Sequence, residues 1–546
     1  FTNPDAVGPR IGQIDFPYFA SVPDHDKLLV FAAGNEGHSA PDIECFLPNV
    51  YPKAAFNLIN VTAADNKSLT VSADGSISGD RPVAIFSNLA KYAEDYTVSA
   101  PGMIISSAAA DYATRGSIDM NMSGTSMAAP YVTGVGVLVQ QAYPYLNAKQ
   151  IGDVILSTAN NNITLPEYQI QYQQGKGYIK VSVFFSGAPT EKTNSELQIL
   201  AKNYFKDYYN YTTEDGSFTR RFWNAFVDQS NIQTFYYADL QELWGQGLVD
   251  AAKAVKGPGA LNARRLTASD INTDYTVQGT KTSQALYAID TQGYNSIWSN
   301  DIKEIKAGLI AADSTETDLA NRYRYYYTNW LTKDDPFDDT KMFTESYINN
   351  FNQKVEASGL KGLSVGLLKE GNGTLALTGA NTYKGSTIVK GGAVALTGSV
   401  AGDAYTLANG TLTGTGTVQG NLTNSGTLVP GLTVDARNLF STTAAGTQGA
   451  GNNSVATGTA TAPQAGTLTV NGSFTSNGKL IIATNGTNSG KLVVGGSSTL
   501  TGTALNVVNG GTNPLVNHTY NYLTSQGGIT GNVTTTDLSP YVSLSA

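Results

Sequence analysis

Cysteine is almost missing from this chain. Cys45 is the one cysteine in 546 residues, so no intrachain disulfide can form. Small folds that depend on disulfide staples are thereby excluded. The redox compartment stays open, because the cytosol and large bacterial secreted proteins both favour such a composition. Charged residues are scarce at 14 %, and the formal balance of 34 − 43 = −9 gives no basic surface of the kind a nucleic-acid binder needs. No run of 18 apolar residues occurs, so no segment reads as a transmembrane helix. The start, Phe1-Thr-Asn-Pro-Asp-Ala, has neither the basic nor the apolar region of a signal peptide, nor a methionine. The chain is expected to begin inside a longer polypeptide.

What is present falls into three zones. Residues 1 to about 160 alternate short β-rich runs with helical ones. Leu28-Leu-Val-Phe-Ala-Ala, Phe56-Asn-Leu-Ile-Asn-Val-Thr-Ala and Tyr96-Thr-Val-Ser-Ala read as strands. Gly124 to Tyr145 and Lys149 to Ala159 read as helices, the first apolar all round and therefore expected to be buried. Strands alternating with helices predict a parallel α/β sheet. From about 160 to 365 the chain is rich in Tyr, Asn, Asp and Lys, as in Tyr204-Phe-Lys-Asp-Tyr-Tyr-Asn-Tyr and Tyr323-Arg-Tyr-Tyr-Tyr. These runs are read as packed surface structure. From about 365 onward Gly, Thr, Asn, Ser, Val and Leu dominate, in short period-two strands ended by Gly or Asn. One such strand cannot bury its apolar face alone, but stacked rungs can. A right-handed parallel β-helix is predicted over a disordered Gly/Thr-rich tail, because Leu, Val and Ile alternate regularly. Residues 441–466 lose the pattern and read as a flexible excursion.

The densest chemical signal is Ser123-Gly-Thr-Ser-Met-Ala-Ala-Pro, followed by the apolar helix from Tyr131. Small residues crowd one hydroxyl, that of Ser126, at a loop-to-helix junction. Such a hydroxyl lies at the positive end of a helix dipole, and glycine and alanine let a substrate backbone come close. Gly124-Thr-Ser-Met-Ala-Ala-Pro resembles the nucleophile signature of subtilisin-like serine proteases, the subtilases. Phe31-Ala-Ala-Gly-Asn-Glu-Gly resembles that family's A-A-G-N-x-G segment. Tyr51-Pro-Lys-Ala-Ala-Phe, Ile85-Phe-Ser-Asn-Leu and Val98-Ser-Ala-Pro-Gly follow in family order, and Leu243-Trp-Gly-Gln-Gly-Leu-Val-Asp-Ala-Ala resembles a segment that closes many subtilase domains. The resemblance implies a serine endopeptidase acting through an acyl-enzyme on Ser126. Asn35 and the Ser126 N–H would be the oxyanion donors, and Ala32, Ala33 and Gly34 would line the pocket for the residue before the scissile bond. It implies protein or peptide substrates and no cofactor. Structural Ca²⁺ accompanies many subtilases, but no site for it is identifiable in the sequence, and no metal ligand is assigned.

Lys369-x-Gly-x-Gly-Thr-Leu-x-Leu-x-Gly-x-Asn-Thr-Tyr-x-Gly-x-Thr-x-Val-x-Gly resembles the β-strand repeat of bacterial autotransporter passengers. That resemblance implies a surface or secreted address in a Gram-negative bacterium, and a C-terminal outer-membrane β-barrel as partner in the parent protein. The expected division is residues 1–265 as the C-terminal part of a subtilase catalytic domain with an insertion at about 160–240, 266–362 as a helix/loop spacer, and 363–546 as β-helical passenger repeats.

The subtilase triad also needs an Asp and a His ahead of the oxyanion asparagine. The three histidines, His25, His38 and His518, do not match the family's His-Gly-Thr segment, and each is read as surface or scaffold. Only 34 residues precede Asn35, so the expectation is a catalytic domain truncated at its N-terminus. The alternative reading is a catalytically inactive surface adhesin or structural passenger. Asp334-Asp-Pro-Phe-Asp-Asp is an acidic stretch without the ligand spacing of a Ca²⁺ loop, and reads as a solvated turn.

Overall fold

Runs of β-branched and small residues after Leu28, Asn57 and Tyr96 form the expected strands in the computed structural model of the chain. They are β1 (Leu29–Ala32), β2 (Leu58–Ala64) and β3 (Thr97–Pro101). The structure describes residues 22–38, 41–42, 45, 56–108 except 92, 119–164, 166–175, 178–186, 232–237, 240–266, 275–277, 280–282, 285–306, 364–432, 466–509 and 518–537, with a few isolated positions elsewhere. The Tyr-rich runs at 204–211 and 323–327 and the acidic stretch at 334–339 lie outside the described residues, as does nearly all of 441–466. The chain divides into two units: Phe1–Val137 with Asn147–Ala251 and Leu309–Lys354, and Leu138–Leu146 with Ala252–Gly308 and Val355–Ala546.

In the first unit β1, β2 and β3 form a parallel sheet in the order β1-β2-β3. β2 is buried on both faces, as expected of a covered parallel strand. A hairpin of β4 (Ile105–Ala108) and β5 (Asp119–Met122) then leads into α1 (Thr125–Ala142). α2 (Ala148–Thr158) starts in a capping box, where the Asn147 side chain accepts from the Gln150 N–H and the Gln150 side chain answers to the Asn147 N–H. The α/β architecture with a parallel sheet and flanking helices is therefore present.

One expectation for α1 needs correcting. Ala128, Val132, Val135 and Val139 are buried, a single stripe at helical spacing, while Tyr131, Val137 and Leu138 are exposed. Apolar composition all round did not make the helix buried all round.

Between α2 and the closing segment, Tyr168–Gly175, Tyr178–Ser186 and Ile232–Tyr237 form a further three-stranded sheet. Its Phe184 joins Ile77, Val83, Leu89, Leu243 and Trp244 in one apolar cluster. The segment after Trp244 then runs along β3: Gln246 N–H donates to Thr97 O at 2.8 Å and Val249 N–H to Ser99 O at 2.8 Å. Gly245 has φ +72°, and a Cβ there would lie 2.1 Å from Thr97 O, so glycine is required.

In the second unit most strands pair in parallel with strands further along the chain, while Tyr275–Val277 with Thr280–Thr282 and Lys479–Asn485 with Asn488–Ser489 pair antiparallel. Leu375, Val394, Leu412, Leu428, Leu480 and Leu505 are successive register partners, all buried. Val400, Val418, Val470 and Val494 form a second ladder. The stack starts earlier than its Gly/Thr composition does. Ala285–Asp290, within the expected spacer, pairs in parallel with Val365–Glu370 and is built from apolar residues without the repeat's glycines.

The repeat's polar residues are internal fasteners. Lys369 is fully buried, and its Nζ donates to the carbonyls of Glu370, Gly371 and Gly391 at 2.6, 3.0 and 3.2 Å. Asn381 accepts from Ile302 N–H and donates to Ser399 O, and Tyr383 OH meets Thr387 Oγ1 at 2.7 Å. Burial pushes the Lys369 ammonium down to about 8, against the pull of Asp290 and Glu370. Between pH 8 and 10.5 the unfolded chain then holds a proton that the folded chain has released. Stability from this group therefore rises with pH across that window, and its burial penalty is fully present below it. Denaturant melts of the chain at pH 7.5 and 9.5 should show this rise in the wild type relative to Lys369→Met, which lacks it.

Candidate active site

β1 ends at Ala32, and the chain turns through Ala33 and Gly34 to Asn35. Ala33 is buried and continues the sheet contact, its N–H donating to Val61 O at 2.9 Å. Cys45 lies buried beside β1, its Sγ 3.6 Å from Ala32 O. Gly34 has φ +104°, and a Cβ on it would lie 2.3 Å from Asn88 Nδ2 and 2.5 Å from Asp42 Oδ2. Only glycine fits that turn.

The second half of the site is the loop between β5 and α1. Thr125 opens the helix, so Ser126 is its second residue, and the Ser126 N–H belongs to the first turn that lacks intrahelical acceptors. Ser126 is exposed, whereas Gly124 and Thr125 on its N-terminal side are buried. The two halves are joined by direct hydrogen bonds. Gly34 N–H donates to Thr125 Oγ1 at 3.2 Å. Thr125 N–H and Oγ1–H both donate to Asn35 Oδ1, at 2.9 and 3.2 Å. These bonds fix which way the amide faces: Oδ1 toward the helix start, and Nδ2 donating to none of the described residues. Ser126, Asn35, Ala32, Ala33 and Gly34 are thus gathered into one place.

Asn88 organises the loop beneath. Its Oδ1 accepts from the N–H groups of Glu36 and His38 at 3.1 and 2.9 Å. Its Nδ2 lies within 3.2 Å of Ala33 O, Glu36 Oε2 and Asp42 Oδ1, and its own N–H donates to Gly34 O. The sequence shows Asn88 only as one letter of Ile85-Phe-Ser-Asn-Leu. Its partners lie 46 to 55 residues away, beyond any local pattern. Thr125 was likewise legible as part of a motif, not as the bridge between two loops. His25 ends a short 3₁₀ turn, His38 lies exposed on the Asn88 loop, and His518 stacks edge-on against Tyr520 in the second unit. No group of three His, Cys, Asp or Glu side chains that could hold a metal gathers among the described residues.

Replacing Asn88 by Ala should destabilise the first unit by about 3 kcal/mol, at about 1 kcal/mol for each side-chain hydrogen bond to the Ala33, Glu36 and His38 backbone. Asn88→Asp should cost more at pH 7 than at pH 4, because it sets a third carboxylate beside Glu36 and Asp42. Urea melts of the two variants at both pH values check this.

Against known proteins, residues 7–212 match the subtilase family and residues 367–396 match the passenger-associated transport repeat. An extracellular serine protease of Serratia marcescens is 24 % identical over 426 residues, covering 74 % of this chain and 28 % of that protein. Serotype-specific antigen 1 of Mannheimia haemolytica is 26 % identical over 299 residues, covering 54 % and 28 %. An extracellular serine proteinase of a Thermus strain is 33 % identical over 135 residues, covering 25 % of this chain and 27 % of that protein. The chain thus spans under a third of the length of these relatives. The solved self-cleaved protease domain of PatA aligns at 25 % identity over 26 % of this chain and 46 % of that one, with a TM-score of 0.20.

Proposed function

For a chain that carries a subtilase domain at residues 7–212 and a passenger-associated transport repeat at 367–396, we propose the role of a serine endopeptidase borne on an autotransporter passenger. Ser126 is the nucleophile that attacks the scissile carbonyl and forms the acyl-enzyme. Asn35 Nδ2 and the Ser126 N–H are the two donors to the oxygen that becomes negative in that step. Ala32, Ala33 and Gly34 form the wall beside the residue preceding the scissile bond, and their small side chains place no charge there.

The observation that carries this reading is the pair of Thr125 bonds to Asn35 Oδ1. They leave the amide nitrogen as the group offered from the loop next to Ser126. A donor fixed before the charge develops needs no reorganisation during the reaction.

The second unit is proposed to be a right-handed parallel β-helix, supported by its sequential parallel ladders. The transport repeat supports a surface or secreted location in a Gram-negative bacterium and a C-terminal outer-membrane β-barrel partner in the parent protein. The subtilase match at residues 7–212 supports protein or peptide substrates.

The test is hydrolysis of an unfolded protein substrate by the full-length polypeptide that contains this chain. Ser126→Ala should abolish turnover and labelling by a fluorophosphonate. Asn35→Ala should lower kcat by about 10²–10³ with KM little changed; this magnitude comes from a subtilisin asparagine used as the reference case. Turnover that survives Ser126→Ala overturns the assignment.

A further inference from the structure

Resting on the reading of Ser126 as nucleophile, we infer that Asn66 is a positioning residue for it, acting through the turn Pro101-Gly-Met-Ile. Asn66 follows β2 and lies beside a buried ion pair, Asp65 Oδ2 to Arg81 Nε at 3.1 Å. Asp65 Oδ1 accepts from the N–H groups of Lys67 and Ser68, both at 3.2 Å, which fixes the tight turn that presents Asn66. The Asn66 side chain then grips one residue of the neighbouring turn by both backbone groups. Met103 N–H donates to Asn66 Oδ1 at 2.8 Å, and Asn66 Nδ2 donates to Met103 O at 3.0 Å. The amide imitates a strand partner, and Met103 cannot slide or rotate without breaking both bonds.

The residues on either side of Met103 hold the nucleophile loop. Gly102 O accepts from Gly124 N–H at 2.9 Å. Ile104 N–H donates to Ser123 Oγ at 2.8 Å. The two residues gripped, Ser123 and Gly124, are the third and second before Ser126. Gly102 approaches Ala63 so closely that a Cβ would lie 2.4 Å from the Ala63 Cβ, which anchors the turn on β2. Ile104 has φ +51°, a left-handed conformation that a β-branched residue adopts only under constraint. The grip on Met103 and the Ser123 hydroxyl are what hold it there. The path from Asn66 to Ser126 is therefore a short series of backbone bonds with one strained link.

Loss of the clamp should misplace Ser126 against a substrate held elsewhere, and misplacement on the order of 1 Å costs about a hundredfold in rate. The experiment uses the full-length polypeptide, with active sites titrated by fluorophosphonate burst. Asn66→Ala should lower kcat per titrated site about ten- to a hundredfold, with KM within about twofold and the titrated fraction unchanged. Asn66→Asp keeps the acceptor for Met103 N–H and should recover part of the loss. A merely structural role would reduce the titrated fraction and leave the rate per site intact. Should Asn66→Ala fail to fold, the exposed Ser123 decides: Ser123→Ala should lower the per-site rate several-fold, and Ser123→Thr should restore it. A wild-type per-site rate in Asn66→Ala, or in Ser123→Ala where that is the deciding variant, overturns the inference alone. Absence of Ser126-dependent labelling in the wild type overturns the nucleophile reading and this inference with it.

Discussion

The site depends on one contact, the Asn35 amide against the first turn of α1. β1 and β3 run parallel, so the loop after β1 and the turn after β3 leave the same end of the sheet. Gly102 in that turn holds Gly124, which brings the start of α1 to Asn35 although 90 residues separate Asn35 from Thr125. Thr125 uses both its N–H and its hydroxyl on the same oxygen. The Thr125 N–H can only donate, so a flipped amide would set N–H against N–H, and the hydroxyl adds a second bond to the same oxygen. The contact also needs backbone closeness. Gly34, at φ +104°, turns under Asn88 where no side chain fits, and Gly124 lies beside the Asn35 amide. The small residues of both motifs are thus a consequence of the amide's geometry.

Which parts of this were legible in the sequence follows from the range of the interactions. β1, β2 and β3 were visible because each is a short run of strand-forming residues, and the order of the motifs was visible because it is linear. The gathering of Ser126, Asn35 and Ala32–Gly34 was legible only through resemblance to a family. Asn88 and Asn66 were not legible at all. Each acts on backbone groups of a loop far along the chain, and an asparagine in a loop has no periodicity to betray its partner. α1 failed in the opposite way. Its composition says buried, but burial is a property of neighbours, and its packed face is one stripe of Ala128, Val132, Val135 and Val139.

The second unit shows the same distinction between pattern and partner. Its aliphatic ladders could be read from alternation, because a parallel stack places identical positions of successive rungs over one another. Its buried polar residues follow no such alternation. Buried carbonyls each require a donor. Lys369 supplies one ammonium to three of them, and Asn381 supplies an amide that reaches the next rung. The lysine and asparagine of the repeat are therefore explained by internal carbonyls. The glycines between them are explained by contact: a Cβ on Gly385 would lie 2.2 Å from the Gly366 N.

Ser126 itself is exposed at a helix start, and an unassisted hydroxyl is a weak nucleophile. What the described residues contribute is placement. Thr125 fixes the amide on one side of the serine, and Gly102 and Ile104 fix the loop on the other. Both sets of bonds end on backbone or on short side chains, which lose little rotamer freedom when they are held. The ordering entropy of these residues is thereby met when the chain folds. For the proposed nucleophile, that leaves little ordering for substrate binding to supply, because the strained turn beside it cannot relax.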